Sequence, residues 1–282
     1  MSTTTAKFYL KDGPVSNINM TVSGHIRTES DELVEFVEVS ASGADIEEEM
    51  ETTEEGYYEF ELPTEFNYRI TPSRNDNPLN GISTIDLILI SQHVLGIKLL
   101  DSPYKIIAAD VDKSGTITAF DLIELRKLIL LINDEFSNNT SWRFVDESYV
   151  FVDPTNPFAA TFPTEYNIND LIENMIIDFV AIKVGDVNGS ATTNQLFARG
   201  DSREGLEDLV FQVADRQLQA NETYTVDFKA KDFTNVLGYQ FSLDYDATQL
   251  EIVNYTSGDL KNLSTDNFAI HQGVLTSSWN LQ

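Results

Sequence analysis

Oxygen-bearing side chains are concentrated in one twelve-residue stretch, residues 110–121. They stand at positions 1, 3, 5, 9 and 12 of that stretch, as Asp110, Asp112, Ser114, Thr118 and Asp121. Gly115 at position 6 permits a sharp turn, and the backbone carbonyl of Thr116 at position 7 adds an oxygen. Because calcium takes about six to eight oxygen ligands, the spacing predicts a calcium loop. The alternative is a polar turn in which Asp121 is an ordinary first-turn acid of a helix.

A helix must follow this loop and hold its last ligand in place. Apolar residues keep near-helical spacing after Asp121, at Leu122, Ile123, Leu125, Leu128, Ile129 and Ile132. Residues 82–88 repeat the pattern of residues 117–123 at a constant offset of 35, with Asp86 in the place of Asp121. A second helix is therefore predicted from Leu87 to Leu95, ended by Gly96.

This duplicated loop–helix unit, with Asp at the twelfth position, resembles the EF-hand-like modules of the type I dockerin family. The resemblance implies two calcium-filled loops, helices that pack on each other, and docking onto a cohesin-type partner. It also implies that the residues at loop positions 10 and 11 face the partner, here Thr84, Ile85, Ala119 and Phe120.

The first copy of the loop departs from the pattern, because Leu79 stands where a side-chain ligand is needed. However, residues 186–190 repeat the front half of the 110–121 loop and have no back half. We therefore predict a split calcium site that joins the two incomplete halves. Its ligands would be Asp186, Asn188, Ser190, the Gly81 carbonyl, Ser83 and Asp86. The alternatives are an in-line or empty first loop, with residues 186–189 forming a surface turn.

The composition restricts the classes of function. The 282-residue chain carries a net charge of −28, which argues against binding to nucleic acid or to anionic membrane surfaces. It has no cysteine, so disulfides and thiolate zinc sites are excluded. No long apolar run and no signal peptide is visible, so we expect either a cytosolic protein or an internal piece of a longer secreted chain. No catalytic motif is recognisable, which predicts that the chain is not an enzyme.

The segments on either side of the loop–helix unit are predicted to form β-structure. Residues 23–26, 37–41 and 56–60 resemble the carboxypeptidase regulatory-like (transthyretin-like) β-sandwich, predicted over 21–72 after a leader or preceding domain at 1–20. Residues 238–246 and 250–253 resemble cohesin strands. The domain prediction is a dockerin-like module at 73–191 with an insert at 133–180, a linker at 192–204, and an incomplete cohesin-like β-sandwich at 205–282.

The predicted fold class is multidomain α+β, with β-sandwiches flanking a mainly α, EF-hand-like dockerin module. With residues 103–110 and 183–189, the middle segment resembles the dockerin-like modules of very large secreted surface proteins of Bacteroidetes-type bacteria. We therefore expect a non-catalytic, calcium-stabilised structural or adhesive segment of a secreted or cell-surface protein, with two Ca²⁺ ions. The alternatives are a dockerin that recruits a cohesin-bearing scaffold, or accessory modules of a polysaccharide-degrading enzyme. The aromatic and proline-rich insert leaves carbohydrate as a further candidate partner, although packing over the helices is favoured for these side chains.

Overall fold

The computed structural model describes residues 18–43, 45–194 and 209–281. In these ranges the chain forms fourteen strands in four sheets and three α-helices. Residues 1–17 of the predicted leader and residues 195–204 of the predicted linker lie outside the described residues. The chain divides into two compact units.

The first unit contains the described residues up to Arg74, together with Phe144–Val150 and Phe162–Ala181. Its first five strands are β1 (Asn19–Arg27), β2 (Glu38–Gly43), β3 (Ile46–Glu51), β4 (Tyr57–Pro63) and β5 (Tyr68–Ser73). Burial alternates along β1 and β4, so that each strand turns one face to the core and the other outward. Buried residues of this unit include Val22, Ile26, Tyr58, Phe60 and Ile70.

The prediction of a mainly α module in the middle of the chain is wrong. Four strands follow the helices: β6 (Trp142–Asp146), β7 (Tyr166–Ile168), β8 (Met175–Ile176) and β9 (Phe179–Lys183). One sheet runs β4-β1-β9-β6, with β8 also paired to β1, and the other runs β3-β2-β5-β7. The predicted insert therefore completes the sheets begun by the first five strands. Its buried aromatic residues are divided between the two units, with Phe144 and Phe162 in the first and Trp142 and Phe151 in the second.

The second unit contains Asn75–Arg143, Phe151–Thr161 and the described residues from Ile182 onward. Its helices are α1 (Thr84–Val94), α2 (Pro103–Ala109) and α3 (Ala119–Ile129). Helices α1 and α3 pack on each other, with Leu87, Ile90, Leu125 and Leu128 fully or almost fully buried. None of the helices in the described ranges has the length and apolar character that a membrane crossing requires.

The same unit ends in a second set of strands. These are β10 (Phe211–Gln212), β11 (Lys229–Ala230), β12 (Gly238–Asp244), β13 (Phe268–His271) and β14 (Val274–Asn280). Strand β14 lies between β12 and β13, and β10 pairs with β11. The rings of Tyr239 and Trp279 stack across β12 and β14, with centroids 5.7 Å apart. The central strand β14 is buried over most of its length.

Candidate metal centres

The residues of the 110–121 loop bring their carboxylates together as the spacing predicts. Oxygens of Asp110, Asp112 and Asp121 lie within 4.8 Å of one another. Asp110 follows the last residue of α2, and Asp121 lies in the first turn of α3. Asp110 is 1% exposed and Asp121 is fully buried. The two helix ends therefore fix the first and last carboxylates of the loop, which we call the in-line loop.

Hydrogen bonds inside the in-line loop hold its remaining oxygens in register. The Gly115 N–H donates to Asp110 Oδ1 (3.1 Å), and Gly115 has the positive φ of +77° that its position requires. The Ser114 hydroxyl donates to the carbonyl oxygen of Thr116 (3.1 Å). The Thr118 N–H donates to Asp121 Oδ2 (2.8 Å), in the capping box that begins α3.

The predicted split site repeats these contacts between two distant segments. The Ala191 N–H, five residues after Asp186, donates to Asp186 Oδ2 (2.7 Å), as the Gly115 N–H does to Asp110. The Ser190 hydroxyl donates to the carbonyl oxygen of Gly81 (2.9 Å), which is the counterpart of the Ser114 contact. The segment after β9 thus supplies the front half of a loop whose back half precedes α1.

The last ligand position of the split site is occupied by Asp86 in the first turn of α1. The Ser83 N–H donates to Asp86 Oδ2 (2.9 Å), in a capping box like that of α3. The Val187 N–H, next to Asp186, donates to Asp86 Oδ1 (3.0 Å). Asp86 is fully buried, Asp186 is 8% exposed, and the predicted ligand Asn188 is exposed. The two halves are therefore joined directly through the carboxylate of Asp86.

The side-chain amide of Asn80 also holds the two segments of the split site side by side. Asn80 donates from Nδ2 to the Thr192 carbonyl (2.8 Å) and accepts from the Thr192 N–H at Oδ1 (2.9 Å). A Cβ on Gly81 would lie 2.5 Å from the backbone nitrogen of Ala191, and Gly81 has a φ of +74°. Only glycine therefore fits at position 81 with the segments this close.

Burial dominates the electrostatics of both clusters. It raises the pKa of Asp86 to about 7, with the neighbouring charge of Asp186 as the second cause. Burial likewise raises the pKa of Asp186, Asp110 and Asp121, against the backbone hydrogen bonds that lower them. Buried carboxylates are costly unless a cation or a proton neutralises them. Both clusters are therefore arranged to take up positive charge.

One residue at the in-line loop was missed by the sequence analysis. Arg143 of β6 approaches Asp110, with Nη1 3.4 Å from Oδ2, and its side chain is 12% exposed. The two residues are 33 positions apart, so no loop motif or helical spacing connects them. Predicting this contact from the sequence would require knowing that the strand after the helices returns to the loop.

The start of α1 contacts the C-terminal strands of the same unit. The Thr84 N–H donates to Gln240 Oε1 on β12 (2.8 Å), and the hydroxyls of Thr84 and Ser278 lie 2.9 Å apart. A Cβ on Gly238 would lie 2.9 Å from Thr84 Cγ2 and 3.0 Å from Ile88 Cδ1. The start of α1 therefore packs closely against this part of the sheet.

The end of α3 makes a second set of contacts with β13 and β14. Arg126 Nη2 donates to Asn280 Oδ1 (2.6 Å). The Leu130 carbonyl, just after α3, accepts from Thr276 Oγ1 and from His271 Nε2, both at 2.9 Å. We call this set and the contacts at the start of α1 the helix–sheet interface.

The four residues expected to face a partner differ in their exposure to solvent. Thr84 is 4% exposed because it lies in the helix–sheet interface. Ala119 is exposed, as are Ile85 (39%) and Phe120 (69%). Ile85 and Phe120 are therefore not core residues of α1 and α3.

Four aromatic residues of the predicted insert are buried and cannot form an open sugar-binding platform. Trp142, Phe144, Phe151 and Phe162 are at most 8% exposed. Tyr104 of α2 packs edge-on against Phe151, with ring centroids 5.5 Å apart. Carbohydrate recognition through these four buried rings has no support in this arrangement.

Comparison with known families gives one match. Residues 209–277 match the family model described as the cohesin domain. Comparison with curated proteins finds no match, and comparison with solved structures finds none. The family match supports a non-catalytic, structural or scaffold-binding role for the C-terminal strands and an extracellular or cell-surface setting. It also supports another protein domain as the kind of partner for these strands.

Proposed function

We propose that this chain is a non-catalytic, calcium-stabilised structural segment of a larger secreted or cell-surface protein. Two calcium ions bind to the dockerin-like loops, and the helices between them dock onto the cohesin-like strands of the same chain. The in-line ion is held by Asp110, Asp112, Ser114, the Thr116 carbonyl, Thr118 and Asp121. The split-site ion is held by Asp186, Asn188, Ser190, the Gly81 carbonyl, Ser83 and Asp86.

The repetition of one hydrogen-bond pattern in both loops is the observation that carries the proposal. Three contacts recur at equivalent positions, although one loop is continuous and the other joins residues 81–86 to residues 186–191. We would not expect a surface turn to reproduce the contacts of a distant loop. Calcium binding at both sites accounts for the repetition, since calcium takes both carboxylate and carbonyl oxygens.

The split site gives calcium a structural task. Its ion is bound by residues before α1 and residues after β9, so that binding closes a span of about one hundred residues. Helices α1 and α3 have 11 residues each and are marginal alone, since isolated helices below about 12–15 residues are unstable in water. Calcium bound at Asp86 and Asp121, in the first turns of α1 and α3, therefore stabilises the two helices.

Hydrogen exchange of the full chain, in calcium and in chelator, tests this proposal. We expect the amides of α1 and α3 to lose protection in chelator, while those of β1 and β4 in the first unit keep it. Glycosidase and esterase substrates should not be turned over in either condition. Equal protection of both helices with and without calcium would remove the structural role. Turnover lost on substitution of a single carboxylate would identify an enzyme.

A second candidate function is recruitment of a separate cohesin-bearing scaffold. Phe120 at 69% exposure and Ile123 at 46% form an apolar patch at the start of α3. Saturable binding of an added cohesin domain, abolished by Phe120→Asp but unaffected by Thr84→Ala, would favour this candidate. Absence of binding would leave the intrachain contact as the docking function.

A further inference from the structure

Arg143 places a buried positive charge against the first ligand of the in-line loop. Its Nη1 lies 3.4 Å from Asp110 Oδ2, and the side chains are 12% and 1% exposed. An ion bound to the same oxygen would lie within about 6 Å of that nitrogen, since calcium–oxygen distances are about 2.3–2.6 Å. Guanidinium and calcium therefore compete for one carboxylate.

We propose that Arg143 serves as an internal counter-cation that stabilises the metal-free in-line loop and weakens its affinity for calcium. This inference rests on the proposed calcium function and adds a residue that no loop motif contains. Without metal, Arg143 offsets the cost of the buried Asp110 charge. With metal, the same guanidinium repels the ion across a short distance in a poorly solvated site.

A residue with this role has effects of opposite sign on the two states. Removing the guanidinium leaves the buried Asp110 with its backbone donor Gly115 but without a neighbouring positive charge in the metal-free chain, so that state loses stability. Removing it from the calcium-bound chain relieves repulsion, so the ion binds more tightly. A side chain that merely supports the fold would lower the stability of both states alike.

The test uses the full chain carrying Asp186→Asn, so that the in-line loop is the proposed site that remains. Calcium is titrated by calorimetry with Arg143 intact, with Arg143→Gln and with Arg143→Lys. We expect Arg143→Gln to lower Kd by about tenfold, the effect of one unit charge at a few ångströms in a medium of intermediate dielectric. Arg143→Lys, which keeps the charge, should stay close to the parent. Lys105→Gln is the control, because Lys105 pairs with the exposed Asp101 outside the loop.

Denaturation midpoints in chelator complete the experiment. Arg143→Gln should lower the midpoint without calcium and enlarge the rise that calcium produces. An unchanged or higher Kd, or equal losses of stability with and without calcium, would overturn the role of Arg143. Absence of calcium binding by the unsubstituted chain would instead overturn the proposed function itself, so the two failures are distinguishable.

Discussion

Replacing Asp186 by asparagine removes a negative charge from the split site and keeps the size and shape of the side chain. In saturating calcium the loss of the site removes its linked stabilisation, RT ln(1 + [Ca²⁺]/Kd), which is about 2.7 kcal/mol at 100 times Kd. The variant keeps one side-chain oxygen for the backbone donors that now reach Asp186 from Gly189, Ser190 and Ala191 at 2.7–3.1 Å. The calcium-dependent part of the stability should therefore disappear while the local fold remains.

The same substitution should have little effect in chelator. The amide group deprives a backbone N–H of its acceptor, at a cost of about 1 kcal/mol. Against this, the raised pKa of Asp186 means that burial disfavours its charge, and that charge also raises the pKa of Asp86. These effects oppose each other, so we expect the metal-free stability to change by no more than about 1 kcal/mol.

Tryptophan fluorescence during denaturation provides the assay, because both tryptophans of the chain, Trp142 and Trp279, lie in the second unit. The exposed Asp101→Asn is the matched control. Asp86→Asn should remove the same calcium increment. The double variant should lose little more than either single one, since the two residues bind the same ion. Equal losses in calcium and in chelator, or two additive losses, would refute the split site.

Four further predictions concern the second unit. Asp110→Asn combined with Asp121→Asn should abolish one calcium-binding event in calorimetry and leave that of the split site; loss of both events or of neither would contradict independent sites. The pKa of Asp86 is about 7 in the folded chain without calcium, above its unfolded value of 3.8. The free energy of unfolding in chelator should therefore fall as the pH rises from about 4 to 7, and denaturation midpoints measure this fall. Calcium binding at that site should correspondingly weaken below pH 7, because a proton must leave; calorimetry in buffers of different ionisation enthalpy measures this release, and constant affinity from pH 5 to 8 would contradict it. Thr276→Val removes one donor to the Leu130 carbonyl in the helix–sheet interface and should cost about 0.5–1.5 kcal/mol with calcium stoichiometry unchanged; an unaltered denaturation midpoint would argue against that interface.

Local spacing explains why the loops could be predicted from the sequence. The in-line loop lies within twelve consecutive residues, and its helix follows at once, so its pattern needs no knowledge of the fold. The split loop was predicted because each half lacks what the other contains. The contacts of Ser190 with Gly81 and of Val187 with Asp86 place the halves together as expected. Their calcium ligation stays a prediction.

Non-local strand pairing explains what could not be predicted. Strands β7 and β8 have three and two residues, too few to show an alternating pattern. Strand β9 pairs in parallel with β1, with Phe179 beside Ile26, and this pairing has no local sequence signal. The contact of Arg143 with Asp110 was missed for the same reason, because β6 is placed by the sheet it joins.

Calcium titration of the full chain by calorimetry tests the central claim most directly. The account predicts two ions per chain. It also predicts one ion after Asp186→Asn, one after Asp86→Asn, and still one when those two substitutions are combined. A parent chain that binds no calcium would contradict the claim. So would a chain that retains two ions after Asp186→Asn, because the segment after β9 would then contribute nothing to the metal site.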